Sequence, residues 1–376
     1  MKPIQMVDTK TQYLKIKDQV DAGIQEVLDS AAYINGKQVQ DFAKNLSAYL
    51  GVKHTIPCAN GTDALQIAMM ALNLHPGDEV ITPSYTYIAT TEVIALLKLK
   101  PVFVEVDKKT FCIDPKAVEA AITPKTKAIV PVHLYGHAAN MEEIMKIAEK
   151  HNLYVIEDNA QAIGSDYKYS DGRVQKTGTI GTIGATSFYP SKNLGAYGDG
   201  GAIFTNDDAL AEKLKMIANH GQKVRYYHEI VGCNSRLDSI QAAILDVKLK
   251  YLDNYAAARQ KAAHYYNTAF TGNAKITIPF VAEYTTHVYH QYTLILEGVN
   301  RDELSKYLAS QNIPSMIYYP VPAHRQKMFA ALGGADYNLA ITDWLTERVI
   351  SLPIHTEMDE EQMKYITDHV LKFVNQ

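Results

Sequence analysis

Tyr154-Val-Ile-Glu-Asp158-Asn-Ala-Gln161 is a short apolar run that ends in a carboxylate. Such a run reads as a buried strand. In an open α/β sheet the carboxyl ends of the strands form the ligand-binding edge, so Asp158 is expected in a cleft, with Gln161 three residues on and within reach of the same ligand. An acid at a strand end can equally cap a following helix. Outward from this run, strand candidates alternate with helical patterns between about residues 50 and 205: Glu79–Thr82, Val102–Val106, Ala128–Val132, Thr186–Tyr189 and Ala202–Thr205. That alternation is the mark of βαβ units and a mostly parallel sheet between helices. Helix starts are marked by Asp114 before Pro115 and by Asn140 before Glu142 and Glu143, which suit the positive helix end.

Two further segments belong with the first. Thr186-Ser-Phe-Tyr-Pro-Ser-Lys192 leaves a strand and enters a turn crowded by Gly195, Gly198, Gly200 and Gly201. A lone lysine is ordinarily a solvated surface residue. Here the strand exit and the glycines, which let backbone pass close to a ligand, favour a lysine with a lowered pKa that holds a carbonyl carbon as a Schiff base. Asn60-Gly61-Thr62-Asp63 precedes the apolar helix Ala64–Leu74, and backbone N–H groups at a helix start suit a phosphate ester. Read alone, it is a helix cap by Thr62 or Asp63. Together, a phosphate cradle, a carboxylate that keeps a pyridine nitrogen protonated and a lysine make a pyridoxal 5′-phosphate site, with Lys192 and Asp158 catalytic.

Composition narrows the rest. Lys and Arg total 37 against 41 for Asp and Glu, a net charge of −4, so no global field draws in nucleic acid or an anionic membrane. No stretch approaches the apolar length of a membrane span, and the opening Met1-Lys-Pro-Ile lacks the apolar core of a signal peptide, so a cytoplasmic location is expected. Cys58, Cys112 and Cys233 are widely spaced and fit a reduced protein without a disulfide framework. The 25 Tyr against 9 Phe suggest phenols lining a wet cleft. Glycine is dense after residue 178, yet no GxGxxG follows a first strand, which argues against a dinucleotide fold. His133 and His137 lack a third metal ligand and read as loop or substrate-facing histidines, so no metal is expected. From about Asn234 to Phe270 the pattern is one long helical stretch, read as a connector. The division is therefore a large α/β domain over residues 1–250 and a small α+β domain over 251–376. Strand Tyr292–Leu296 and helices Asp302–Ser310 and Glu360–Phe373 fall in the second.

The ordered motifs resemble the DegT/StrS-type nucleotide-sugar aminotransferases, fold type I pyridoxal-phosphate enzymes. The resemblance runs through Tyr33-Ile-Asn-Gly36, Ala59-Asn-Gly-Thr-Asp-Ala-Leu65, Gly77-Asp-Glu-Val80, Thr86-Tyr-Ile-Ala-Thr90, Val155-Ile-Glu-Asp158, Ser187-Phe-Tyr-Pro-Ser-Lys192 and Gly232-Cys-Asn-Ser-Arg-Leu-Asp238. It implies that Lys192 bonds the cofactor and shuttles the proton, that Asp158 partners the pyridine nitrogen and Gln161 the ring hydroxyl, and that Tyr87 stacks on the ring. Gly61, Thr62, Asp63 and Ser187 hold the phosphate. Asn234 reaches the phosphate of a neighbouring subunit, which implies a homodimer with shared sites. Without the resemblance, Asn234 reads as the N-cap of the long helix and Arg236 as a surface charge.

His220-Gly-Gln222, Tyr226, His228 and Asn234–Asp238 are most similar to enzymes that aminate UDP-2-acetamido-2-deoxy-3-oxo-D-glucuronate with L-glutamate as donor, for surface polysaccharides such as lipopolysaccharide. Tyr318-Tyr319-Pro320 stands where that subgroup tends to have His-Tyr-Pro. Tyr318, Tyr319, Arg225 and Arg236 are the candidate substrate contacts, an arginine being suited to a sugar carboxylate or a diphosphate. The competing readings are a dTDP-3-keto or UDP/GDP-4-keto-6-deoxy sugar as substrate, a dehydrase (which in this family carries His in place of the lysine), a regulator that binds the cofactor without turnover, and a binding protein with no cofactor.

Overall fold

The computed structural model describes residues 2–376; Met1, with which the expected large domain opens, lies outside the described residues. Strands β1 (His54–Cys58), β2 (Glu79–Pro83), β3 (Lys100–Val104), β4 (Thr126–Ile129) and β5 (Tyr154–Asp158) are followed by a small ribbon, β6 (Asp166–Lys168) with β7 (Val174–Lys176), and then by β8 (Ile183–Ser187) and β9 (Gly201–Thr205). The central sheet has the order β1-β9-β8-β5-β4-β2-β3. Only β9 runs against the other six strands, pairing antiparallel with both β1 and β8. The reversal has a simple cause. A parallel neighbour needs a long crossover, whereas the chain from β8 to β9 returns directly as a hairpin, and Lys192 sits in that return.

Helices cover both faces. Before the sheet come α1 (Thr9–Ser30) and α2 (Lys37–Leu50); between its strands lie α3 (Gly61–Ala71), α4 (Ala89–Leu96), α5 (Pro115–Ala121) and α6 (Met141–His151); α7 (Asp208–Ala218) follows. Alternation along β5 sends Val155 into the core with α5 and α6, and Ile156 into the core with α3, α4 and α7. The expected caps are present: Asp114 accepts from Lys116 N at 3.0 Å with Pro115 in the first turn, and Asn140 accepts from Glu143 N at 3.5 Å.

A second ribbon, β10 (Gln222–Val224) with β11 (Tyr227–His228), leads to the region read as one long helix. That region is two helices, α8 (Ser239–Leu249) and α9 (Leu252–Phe270), broken at Lys250–Tyr251. Asp238, not Asn234, occupies the N-cap of α8. Beyond the break, β12 (Ile276–Thr277), β13 (Tyr292–Leu296) and β14 (Val349–Leu352) form a three-stranded sheet. With α9, α10 (Arg301–Ser310) and α12 (Glu360–Val374) it shares a core that includes Tyr266, Leu294, Leu304 and Ile366, while α11 (Ala340–Thr346) packs back toward the large sheet through Leu345.

Candidate active site

The β8–β9 hairpin is anchored before it carries anything. Phe188 is fully buried against Phe42, edge to face at 5.4 Å, and its N–H donates to Gly200 O at 2.7 Å. Burying that ring contributes on the order of 1.5–3 kcal/mol. The regular strand thus ends at Ser187, earlier than Thr186–Tyr189 suggested, and a closed loop presents the lysine. Helix α8 grips its far side: Gln241 Oε1 accepts from Tyr197 N at 2.8 Å, and Lys248 Nζ donates to Gly195 O. Asn193 Nδ2 donates to Val288 O at 2.9 Å. Lys192 is half-buried, and its Nζ has no hydrogen-bond or ion-pair partner among the described residues. Desolvation lowers its pKa to about 8, opposed by the nearby Asp158 carboxylate.

Asp158 ends β5 as expected and is nearly buried. Thr90 Oγ1 donates to its Oδ2 at 2.7 Å, and Ala160 N donates to Oδ1 at 3.2 Å, leaving lone pairs free on both oxygens. Its neighbour Glu157 points to the other face and is saturated. It accepts from Gly178 N, Ile180 N, Gly181 N and His133 Nε2 at 2.6–2.8 Å. Since Ala139 N also donates to His133 Nδ1 at 3.0 Å, both ring nitrogens of His133 are bonded within the protein. His137 is buried too, bonded to Ala138 O and Ala282 N at 2.7 and 3.0 Å. Both stand in the loop between β4 and α6, as expected, but their rings are bonded inside the protein, which overturns only the substrate-facing alternative. No group of three potential metal ligands occurs among the described residues.

The helix α3 N-terminus lies against Ser187. Asn60, rather than Thr62 or Asp63, is the N-cap, accepting from Asp63 N at 2.8 Å. This leaves the N–H groups of Gly61 and Thr62 without acceptors among the described residues. A Cβ on Gly61 would stand 2.6 Å from Ser187 Cβ, and one on Gly201 2.5 Å from the Asn60 carbonyl, so both glycines are required for this close approach. Two free N–H groups, a threonine and a serine hydroxyl at a positive helix end fit a phosphate monoester. An unpartnered lysine and a carboxylate with open lone pairs fit the aldehyde and ring nitrogen of pyridoxal phosphate.

Aromatic side chains wall this space. Tyr87 is more than half exposed, its ring 6.1 Å from that of Tyr319. Gln161 Nε2 donates to Tyr319 OH at 2.9 Å while its Oε1 accepts from Tyr135 N at 2.7 Å. The Tyr85 and Tyr135 hydroxyls lie 2.8 Å apart and both lie within hydrogen-bond reach of Tyr318 O, their two protons serving two of these three contacts. Burial pushes the phenol pKa values of Tyr85, Tyr135 and Tyr319 up, so all three stay neutral. Part of the tyrosine excess is thus gathered here. Thr90, which holds Asp158, and the Tyr85–Tyr135 pair were not singled out from sequence. Thr90 lay inside a quoted motif, but its partner is 68 residues away.

The remaining candidates lie further out. Arg225 is exposed on the β10–β11 ribbon, over the Tyr226 ring at 4.9 Å. That ribbon is braced by Gln222 accepting from Tyr226 N and by His228 bonded to His220 O, both at 2.8 Å. Asn234 is exposed and bridges by backbone to Asn219. Next to it, buried Ser235 accepts from Ala59 N at 3.0 Å, which sets the Asn234–Arg236 segment beside the phosphate-type turn of its own chain. Arg236 is half-buried.

Comparison with known proteins agrees with this geometry. Residues 14–371 match the DegT/DnrJ/EryC1/StrS aminotransferase family. The chain is 46% identical over 363 residues to a UDP-2-acetamido-2-deoxy-3-oxo-D-glucuronate aminotransferase of Pseudomonas aeruginosa, covering 96% of this chain and 98% of that one. It is also 46% identical over 373 residues to a pleiotropic regulatory protein of Geobacillus stearothermophilus, covering 98% of each. Among solved structures, S. venezuelae DesV in complex with a ketimine intermediate superposes with a TM-score of 0.95 at 38% identity, covering 100% of both chains.

Proposed function

The chain belongs to the DegT/DnrJ/EryC1/StrS aminotransferase family and is a pyridoxal-phosphate-dependent sugar aminotransferase, and from that premise we propose that it moves the amino group of L-glutamate onto the keto carbon of UDP-2-acetamido-2-deoxy-3-oxo-D-glucuronate. The observation that carries the reading is the unpartnered, desolvated Lys192 presented on a closed loop at the same sheet edge as Asp158. The substrate choice leans on the Pseudomonas relative; the role in surface polysaccharide synthesis rests on the family resemblance of the sequence motifs alone.

Pyridoxal phosphate, when bound, supplies an aldehyde that takes up amines and a ring that withdraws electrons from the neighbouring carbon. Asp158 would hold the proton on the ring nitrogen, and Thr90 keeps that carboxylate aimed. Gly61, Thr62 and Ser187 would bind the phosphate, with Asp63 in the same turn, and Gln161 and Tyr87 would meet the ring. Lys192 Nζ, poised near neutrality, takes a proton from the donor's α-carbon and returns one to the sugar carbon. Tyr318, Tyr319, Arg225 and Arg236 remain the substrate side chains of this reading.

Two copies would complete the site, with Asn234 of one subunit serving the other. Support comes from the exposed apolar side chains near it: Tyr33 and Ile34 beside the start of α8, and Tyr226, Tyr227 and Val231 on and after the ribbon. No helix among the described residues is long and apolar enough to cross a membrane.

The test is incubation with glutamate and a panel of UDP- and dTDP-keto sugars, following 2-oxoglutarate. Release that requires the UDP-3-keto-uronate is expected, and silence with it overturns the substrate. The Geobacillus relative favours a second reading, a regulator without turnover. Spectral conversion of the bound cofactor on adding glutamate would exclude it.

A further inference from the structure

Ser84, His324 and Asp343 lie side by side like the members of a hydrolase triad but with the two ring nitrogens exchanged, far apart in sequence and outside the set that handles the cofactor. Ser84 Oγ lies 2.7 Å from His324 Nδ1, and His324 Nε2 faces Asp343 Oδ1 at 3.5 Å. A nucleophilic role does not fit. Ser84 is 0% exposed, and its Oγ also accepts the backbone N–H of His324 at 3.0 Å. The hydroxyl is held from two sides and has no path to a substrate.

What it joins is informative. Ser84 follows β2 and immediately precedes Tyr85, Tyr87 and Thr90, one wall of the cleft. His324 follows Tyr318 and Tyr319, the facing wall, with Pro320 and Pro322 between. Prolines fix φ and stiffen so short a tether, so wherever His324 is pinned, Tyr319 is placed. Ala323 N donates to Ser84 O at 2.9 Å and doubles the link. The third member is tied to the same sheet edge: Glu105, just past β3, accepts from Ile341 N and Thr342 N at 2.9 and 2.8 Å, which seats α11 and its Asp343. His324 Nε2 makes no hydrogen bond, but the carboxylate 3.5 Å away favours the proton on that nitrogen, and Nδ1 then accepts from the serine. Arg325, bonded to Asp343 at 2.9 Å, closes the outer side.

We propose that Ser84 and His324 form a clasp that sets the spacing between the two tyrosine walls, and that both are positioning residues for the keto sugar. The proposal rests on the reading that this cleft takes the sugar. Losing the clasp breaks no direct bond to Lys192, Asp158 or the phosphate turn but lets Tyr318 and Tyr319 drift from Tyr85, Tyr135 and Gln161.

The test compares Ser84→Ala, His324→Leu and His324→Asn as full-length holoenzymes. In the first two, the KM for the keto sugar is expected to rise about tenfold or more, the scale of one lost buried hydrogen bond, with kcat and the glutamate half-reaction within about threefold of the parent. His324→Asn, whose amide oxygen can take the serine hydrogen bond at the Nδ1 position, should restore most of the affinity. Unchanged KM in both Ser84→Ala and His324→Leu overturns the clasp. So does an equal loss in both half-reactions across all three variants, since that is what general destabilisation gives. If the parent turns over no keto sugar in the panel, the substrate reading fails. The clasp is then decided by amide hydrogen exchange: faster exchange confined to residues 85–90 and 318–324 in Ser84→Ala and His324→Leu supports it, and unchanged exchange refutes it.

Discussion

Lys192 is half-buried and Lys248 fully so, and burial lowers their pKa values to about 8 and about 7. Their surroundings then part ways. Lys248 is 1% exposed, donates to Gly195 O and lies 5.2 Å from the Tyr197 ring centre, with the Arg259 guanidinium further disfavouring its charge. Its amine is used up as a strut. Lys192 rides on the loop that this strut supports and has no partner of its own. Burial and a lowered pKa therefore do not distinguish the two lysines; what does is that the Lys192 amine is left without a partner at the sheet edge. Glu157 and Asp158 repeat the lesson one residue apart, the first saturated by four donors and the second left with free lone pairs.

The sharpest way to break the contrast is Lys192→Ala. Turnover should fall by about 10⁴-fold or more, while cofactor still binds without the absorption of a covalent link. Retained turnover would end the assignment. Asp158→Asn keeps the shape and removes the charge; a loss of about 10²–10³-fold in kcat is expected, the scale of one preorganised electrostatic contact, read in steady-state assays. Next is pH. Only the neutral amine is nucleophilic, and the Lys192 pKa is lowered to about 8. Uptake of pyridoxal phosphate by the apo-protein should therefore slow about tenfold for each unit below pH 8 and level off above it, followed by absorbance. A flat profile would show that the amine is not set by burial.

Lys248→Met gives the smallest effect on catalysis and tests the other half of the comparison. The folded pKa of Lys248 lies below the unfolded value of about 10.4, so between about pH 7 and pH 10 the unfolded chain binds the extra proton. Apo-protein stability should therefore rise with pH across that window, by at most about 1.4 kcal/mol per unit from this group. Lys248→Met should flatten that rise in denaturant titrations at several pH values, with kcat changed by less than about threefold.

Much of this was legible in the sequence because it is local. Asp158 and Lys192 are marked by short runs whose strand and turn character follows from a few neighbouring residues. The parallel sheet followed from alternation, and the family from ordered motifs. What was not legible depends on partners brought in from elsewhere. The break at Lys250–Tyr251 carries no Gly or Pro to announce it. The α3 and α8 caps sit at Asn60 and Asp238, near but not at the residues named, because several capping residues crowd each helix start. Thr90 on Asp158, His133 on Glu157 and Ser84 on His324 span 68, 24 and 240 positions, and no periodicity encodes such pairs.

The single reversed strand has a kinetic meaning. Because β9 returns beside β8, with Ser187 opposite Gly201, the loop bearing Lys192 begins and ends on neighbouring strands. On the proposed chemistry, an amine that releases and recaptures the same carbon in every cycle would thereby be kept at a very high local concentration, for which well-oriented intramolecular groups reach effective molarities of about 10⁵ M and more. A free amine added to a protein lacking this side chain could not be supplied at that level. Recapture would be first-order because the amine belongs to the chain; what the paired strands add is a restricted position for it.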